Sequence, residues 1–188
     1  MASGLPKPAE KLFQNFKDHL AKLLNRTISA VPLQEIRLGN RRLLQFSVRG
    51  TPICVPVGNK GYHLFIGQTV EVAKEKGDYR LRTLRYEYRV TAGSDFDAPA
   101  LVRWEYNSRE FRTSLFPRHH IQIQAKVESF AGGVLDLNKI HLPSGWITVE
   151  EVVRFLITEL KVKPFSDDWD DLLQKSEQKF REWTHRSI

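Results

Sequence analysis

Between Tyr79 and Phe130 the chain alternates aromatic or branched residues with charged ones, and this pattern limits the fold more than any other. The stretch reads YRLRTLRYEYRV, then an acidic loop, LVRWEYN, a polar connector and HHIQIQAKVESF. A period of two, with one apolar and one charged face, predicts antiparallel strands that bury one side of a sheet. In the first strand the apolar positions change parity, from Tyr79 and Leu81 to Leu84, Tyr86, Tyr88 and Val90. A one-residue bulge near Thr83 keeps both sets on one face. The other face then carries Arg80, Arg82, Arg85, Glu87 and Arg89. After a hairpin loop over Ser94–Pro99, the next strand sets Val102, Trp104 and Tyr106 against Arg103 and Glu105. In the last, Ile121, Ile123, Ala125 and Val127 point inward and His120, Gln122, Gln124, Lys126 and Glu128 outward. His119 falls on the core side by the same parity. A three-residue turn at Ala131-Gly132-Gly133 leads into Val134–Ile140, with Val127 opposite Leu137 and Ile123 opposite His141.

The flanks supply what covers such a sheet. After Pro6 and Pro8, a helix over roughly Ala9–Asn25 sets Leu12, Phe13, Phe16, Leu20, Leu23 and Leu24 on one side. Proline is accepted at a helix start, where its missing N–H would have no partner. Packing on the sheet is the expected role, and a detachable partner-binding helix is the sharper alternative. Residues 28–78 carry strand signals: Val31–Leu38 and Arg41–Val48 around Gly39-Asn40, then Ile53–Val57, then His63–Ala73 before the turn Lys76-Gly77-Asp78. They fit either a small β-subdomain or an extension of the main sheet. Thr148 and Glu151 form a capping box ahead of the stripe Val149, Val152, Val153, Leu156, Ile157 and Leu160. Ser166 is a natural N-cap for a last helix with Trp169, Leu172, Leu173, Ser176, Phe180 and Trp183 on one face. The expected fold is α+β: an antiparallel sheet with an N-terminal helix and two C-terminal helices packed on it. Its segments are the helix (1–27), a β-hairpin region (28–78) and the main sheet with the C-terminal helices (79–188), in one continuous domain.

Composition narrows the partners. The 188 residues are 41% hydrophobic, enough for one good core, and the net charge of +7 favours anionic partners. A single cysteine, Cys54, excludes an intrachain disulfide and a thiolate metal cluster, and its place in Ile53-Cys54-Val55 predicts a buried thiol. No run approaches the ~20 apolar residues that span a bilayer, and MASGLPKPAEKLF is not a signal peptide. These features predict a cytoplasmic protein with no membrane association.

No complete catalytic motif occurs in the chain. His119, His120 and His141, with Glu105, Glu110 or Asp136, offer nitrogen and oxygen donors, but their spacing matches no zinc signature, so neither a metal nor any other cofactor is expected. Metal-independent RNA cleavage needs one group to take the 2′-hydroxyl proton, another to protonate the leaving oxygen, and cations around the phosphate. His120, His119, Arg103 and Glu105 are the catalytic candidates. Arg80, Arg82, Arg85, Arg89, Arg103, Arg41 and Arg42 are the candidates for nucleic-acid contact, with RNA ahead of DNA. The plain alternative is a solvated ladder of Arg–Glu pairs, such as Arg103–Glu87 across strands.

Arg85-Tyr86-Glu87-Tyr88, Leu101–Asn107 (LVRWEYN), His119-His120 and Ile147–Leu156 (ITVEEVVRFL) together resemble the TumE-type toxins of prokaryotic toxin–antitoxin pairs, over roughly 79–160. Glu105 stands where that family tends to have aspartate, and the two histidines are adjacent rather than spaced by one residue. The resemblance implies a toxin or defence context with an antitoxin or a larger complex as protein partner. Two classes of function follow: a basic RNA-interacting protein, extending to a toxin-like ribonuclease, or a non-catalytic subunit whose charged sheet face meets an acidic protein.

Overall fold

The structure, a computed structural model, describes residues 5–108, 117–128 and 134–184. Helix α1 (Lys7–Thr27) comes first, with Pro6 at its cap and Pro8 in its first turn. Strands β1 (Gln34–Leu38) and β2 (Arg41–Gln45) form a hairpin in which Gly39 takes the positive φ, 66°. A small ribbon follows, β3 (Ser47–Val48) with β4 (Thr51–Pro52), turned by Arg49 and Gly50 at φ 51° and 85°. After β5 (Val55–Val57) come the two longest strands, β6 (Tyr62–Glu75) and β7 (Asp78–Thr91), joined through Lys76 and Gly77. Then come β8 (Val102–Asn107), β9 (His119–Ile123), a ribbon of β10 (Lys126–Glu128) with β11 (Val134–Asp136), and the short β12 (Leu142–Pro143). Helices α2 (Val149–Thr158) and α3 (Trp169–Thr184) close the chain.

The main sheet is eight-stranded and antiparallel, in the order β1-β2-β6-β7-β8-β9-β12, with β5 also on β6. Strands β1, β2 and β6 therefore extend the same sheet as β7 and β8. The three helices cover one face, giving the α+β architecture. The bulge in β7 lies at Leu84: Thr69 pairs with Arg85 and Val70 with Thr83. Leu81 and Thr83 before it, and Tyr86, Tyr88 and Val90 after it, are all buried on the helix side.

Two expected registers differ. Val127 pairs with Leu135, and Leu142 with Ile121, so His141 does not lie opposite Ile123. The reason is a break after Ile123, where Ala125 N–H bonds back to the Ile123 carbonyl and β10 leaves the sheet as a separate ribbon. The turn expected at 131–133 lies outside the described residues. Helix α3 begins at Trp169, beyond Ser166, and Leu172 N–H donates to the Asp168 carbonyl.

The core is aromatic where the helices meet the sheet. Tyr86 and Tyr88 stack at 4.7 Å, and Phe155 of α2 meets Trp104 of β8 edge-on at 5.3 Å. Phe16 of α1 contacts Phe180 and Trp183 of α3 at 6.1 and 6.0 Å. The capping box at Thr148 and Glu151 is formed in both directions, which fixes where α2 starts over the sheet. Cys54 is buried, and that burial pushes its thiol pKa up.

The segment after α2 is held by a close approach. Gly58 has φ +58°, and a Cβ there would lie 2.5 Å from Cγ1 of the buried Val162 and 3.4 Å from the Lys163 backbone. Gly58→Ala is expected to cost about 1–2 kcal/mol for the left-handed backbone and a further ~1–3 kcal/mol for overpacking. Chemical denaturation reads the sum. A loss below roughly 0.5 kcal/mol would mean that the Val162 segment is free to move aside.

Candidate acid–base site on the open sheet face

Period-two alternation sends every second side chain of β7, β8 and β9 away from the helices. On that face Glu87 lies opposite Glu105, and Glu105 opposite His120, so two carboxylates and an imidazole form a row across three strands, half-buried with side-chain exposures of 15%, 22% and 13%. The next row holds Arg89, Arg103 and Gln122. Arg85 sits on the other side of Glu87 along β7.

The contacts run along strands as well as across them. Glu105 Oε2 is ion-paired with Arg103 Nε at 3.1 Å and lies 3.2 Å from His120 Nε2. His120 Nδ1 is 3.0 Å from the Pro117 carbonyl. With an acceptor at each ring nitrogen, both bonds are made only when the ring carries two protons. His141 stacks on His120 with centroids 4.6 Å apart and planes within 2°. Gln122 orients this corner completely. Its oxygen accepts from Arg103, and its amide nitrogen donates to the Asn138 carbonyl at 3.1 Å and to His141 Nε2 at 3.0 Å. His141 Nε2 is thereby an acceptor and carries no proton. Burial and the neighbouring His120 hold the His141 pKa below the usual histidine value.

Glu87 is the second perturbed group. Burial raises its carboxyl pKa, the facing Glu105 adds to the rise, and Arg85, Arg89 and Arg103 offset part of it. Its partners are Arg85 at 3.3 Å and Arg89 at 3.8 Å, on its own strand. The cross-strand Arg103–Glu87 contact expected from alternation is replaced by Arg103–Glu105, because Arg89, not Glu87, stands opposite Arg103.

The candidate residues separate accordingly. His120, Glu105 and Arg103 come together, with Gln122, His141 and Glu87 completing the group. His119 lies on the opposite face, stacked on Tyr106 at 4.4 Å, with Nδ1 3.3 Å from the Tyr86 hydroxyl and Trp146 edge-on at 5.4 Å. It is thus parted from His120 by the sheet. Arg42 also lies on the helix side, 2% exposed, bound to Glu10 at 3.2 Å and Glu35 at 3.4 Å. Its parity with the buried Leu44 and Phe46 was the signal for this. Arg89 is buried, donating to the Ala98 carbonyl at 3.1 Å with Phe96 4.5 Å away. Arg80 donates to the Glu182 carbonyl of α3, and Arg82 is bound to Glu71. Arg41 faces outward opposite Glu71. Of the arginines proposed for nucleic-acid contact, Arg82 and Arg85 are the exposed ones, and Arg103 is half-buried.

Among the described residues no group of three or more histidine, cysteine or acidic side chains is arranged to hold a metal ion, and no helix is long and apolar enough to cross a membrane. Searches of protein-family models, curated proteins and solved structures found no match to the chain.

Proposed function

We propose that the open face is a metal-independent acid–base site for a phosphodiester, with RNA as the substrate. The observation that carries this reading is the shared oxygen of Glu105, held by Arg103 on one side and facing the doubly acceptor-flanked His120 on the other. Glu105 takes the proton of a 2′-hydroxyl, and the freed O2′ attacks phosphorus. The bond to O5′ breaks as His120 gives that oxygen its Nε2 proton. The products are a 2′,3′-cyclic phosphate and a 5′-hydroxyl. The proton on Glu105 then passes to His120 Nε2 across their direct contact, which restores the starting state. Arg103 sits where the charge on phosphorus builds, and Arg85 is an exposed cation beside Glu87 at the end of the row. The net charge of +7 supports an anionic substrate.

One observation favours a second reading. Arg82, Arg85 and Arg89 each have a carboxylate partner on this same face, so their field is largely cancelled and a broad phosphate track is not built. A self-paired ladder suits a protein interface. Incubating the protein with a single-stranded RNA in the presence of a metal chelator separates the two. The acid–base reading expects fragments ending in cyclic phosphate, lost in Glu105→Gln. Intact RNA together with tight co-purification of one acidic protein would select the interface instead.

A further inference from the structure

On the far side of the molecule, α1 and α3 pack through His19, whose ring stands edge-on to Trp183 at 5.2 Å. His19 Nε2 lies 2.8 Å from Ser176 Oγ, and Ser176 donates to Glu150 Oε1 of α2 at 2.5 Å. Glu150 is 2% exposed, its carboxyl group buried where the three helices meet. With the serine proton directed at Glu150, the serine oxygen accepts from His19 Nε2–H, and the tautomer of His19 is set. The ring is therefore fixed by a three-residue chain.

A groove of about 270 Å³ opens where His19 reaches the surface, floored by Leu23 and Leu172. Its rim is Lys22 and Arg26 from α1 with Lys175 and Lys179 from α3, and no carboxylate lines it. Arg26 is bound to Asp168 at 3.0 Å and Lys175 to Asp171 at 3.5 Å. Lys22 and Lys179 have no ion-pair partner among the described residues. Asp18 and Glu182 line the adjoining groove of about 520 Å³, on the Trp183 side. His19, Lys22 and Lys179 line both grooves, so two ammonium groups without an ion-pair partner flank an oriented imidazole, with the carboxylates confined to the Trp183 side.

From this we infer an anion site between α1 and α3, in which Lys22, Lys179 and His19 bind the dianion of phosphate or of a phosphate monoester. It is independent of the open face. Without a ligand, burial and the two lysines keep the His19 pKa below its usual value. An anion between the lysines reverses their effect on the ring, so binding and His19 protonation support each other. The charged groups that face His19 are Asp18 and Lys22 on α1, Lys179 and Glu182 on α3, and Glu150 behind Ser176.

Titration of the whole protein with sulfate, whose charge is constant over about pH 5–8, tests this by calorimetry and by the His19 ring resonances. Binding should tighten as pH falls, and sulfate should raise the pH at which His19 titrates. Lys22→Gln/Lys179→Gln should weaken binding at least tenfold with unfolding unchanged, and His19→Gln should remove the pH dependence while leaving part of the affinity. Inorganic phosphate and a nucleoside monophosphate, compared at one pH, separate the two sources of the anion. Equal affinity assigns free phosphate, and tighter nucleotide binding assigns the monoester. The site is refuted if sulfate leaves the His19 resonances unmoved, or if the double lysine variant binds as tightly as the native protein.

Discussion

His120→Ala is expected to lower RNA cleavage by roughly 10²–10⁴-fold, the usual worth of one positioned acid–base group. The ring is the proton donor in the proposed step, and no other described side chain contacts both the Pro117 carbonyl and Glu105. Stability should fall too, by about 0.5–3 kcal/mol, because the ring is only 13% exposed, stacks on His141 and is bonded at both nitrogens, so the rate is compared on folded protein. Glu105→Gln should cost a similar factor, and the double variant little more, since the two groups act as one unit. His119→Ala is the internal control. It removes a ring stacked on Tyr106, so it should lower the denaturation midpoint and spare the rate. Single-turnover cleavage of one RNA oligonucleotide measures all four. Full activity in His120→Ala would end the acid–base reading.

Leu156→Ala is expected to destabilise the protein by about 2–5 kcal/mol, the span for a fully buried leucine whose site cannot collapse. Leu156 is wholly inaccessible to solvent, and its carbonyl accepts from Val162 N–H, which holds the segment after α2. The cavity would open at the centre of the layer formed by α2, α3 and the sheet. For a chain of this size each kcal/mol lowers the midpoint temperature by roughly 2–4 °C. Urea denaturation at constant m-value checks the size of the effect. A loss near zero, with partner binding reduced, would instead describe α2 as a docking helix that leaves the sheet.

The strands of the main sheet were legible because side-chain parity survives any uncertainty in their ends. The parity change between Leu81 and Tyr86 even located the bulge to within a residue, since only an extra residue keeps both sets inside. The capping box at Thr148 was equally local. Site geometry was less legible. Alternation placed Glu87, Glu105 and His120 outward, but which of them stand opposite one another depends on register, and register depends on loops whose length sets nothing by itself. The break after Ile123 shifted His141 into contact with Gln122, a partner that spacing along the chain cannot reveal. Arg42 shows the reverse case. Its parity with Leu44 and Phe46 pointed inward, and its charge was mistaken for exposure. Ser176 within the apolar stripe of α3 was a hint of the buried Glu150, but the two are distant in sequence, and pairing them requires the packed helices.

The ends of the sheet have a consequence for association between copies of the chain. A free strand edge is a row of unused amides and carbonyls that can template another strand. Here β12 contributes only Leu142 and Pro143, and the proline has no N–H to offer. At the opposite end β1 is five residues long, and Glu35 and Arg37 are tied into ion pairs with Lys17, Arg42 and Glu10. A strand from another molecule would find one border too short to grip and the other guarded by fixed charge. The borders at β12 and β1 thus resist edge-to-edge growth while the sheet keeps its polar face for a ligand.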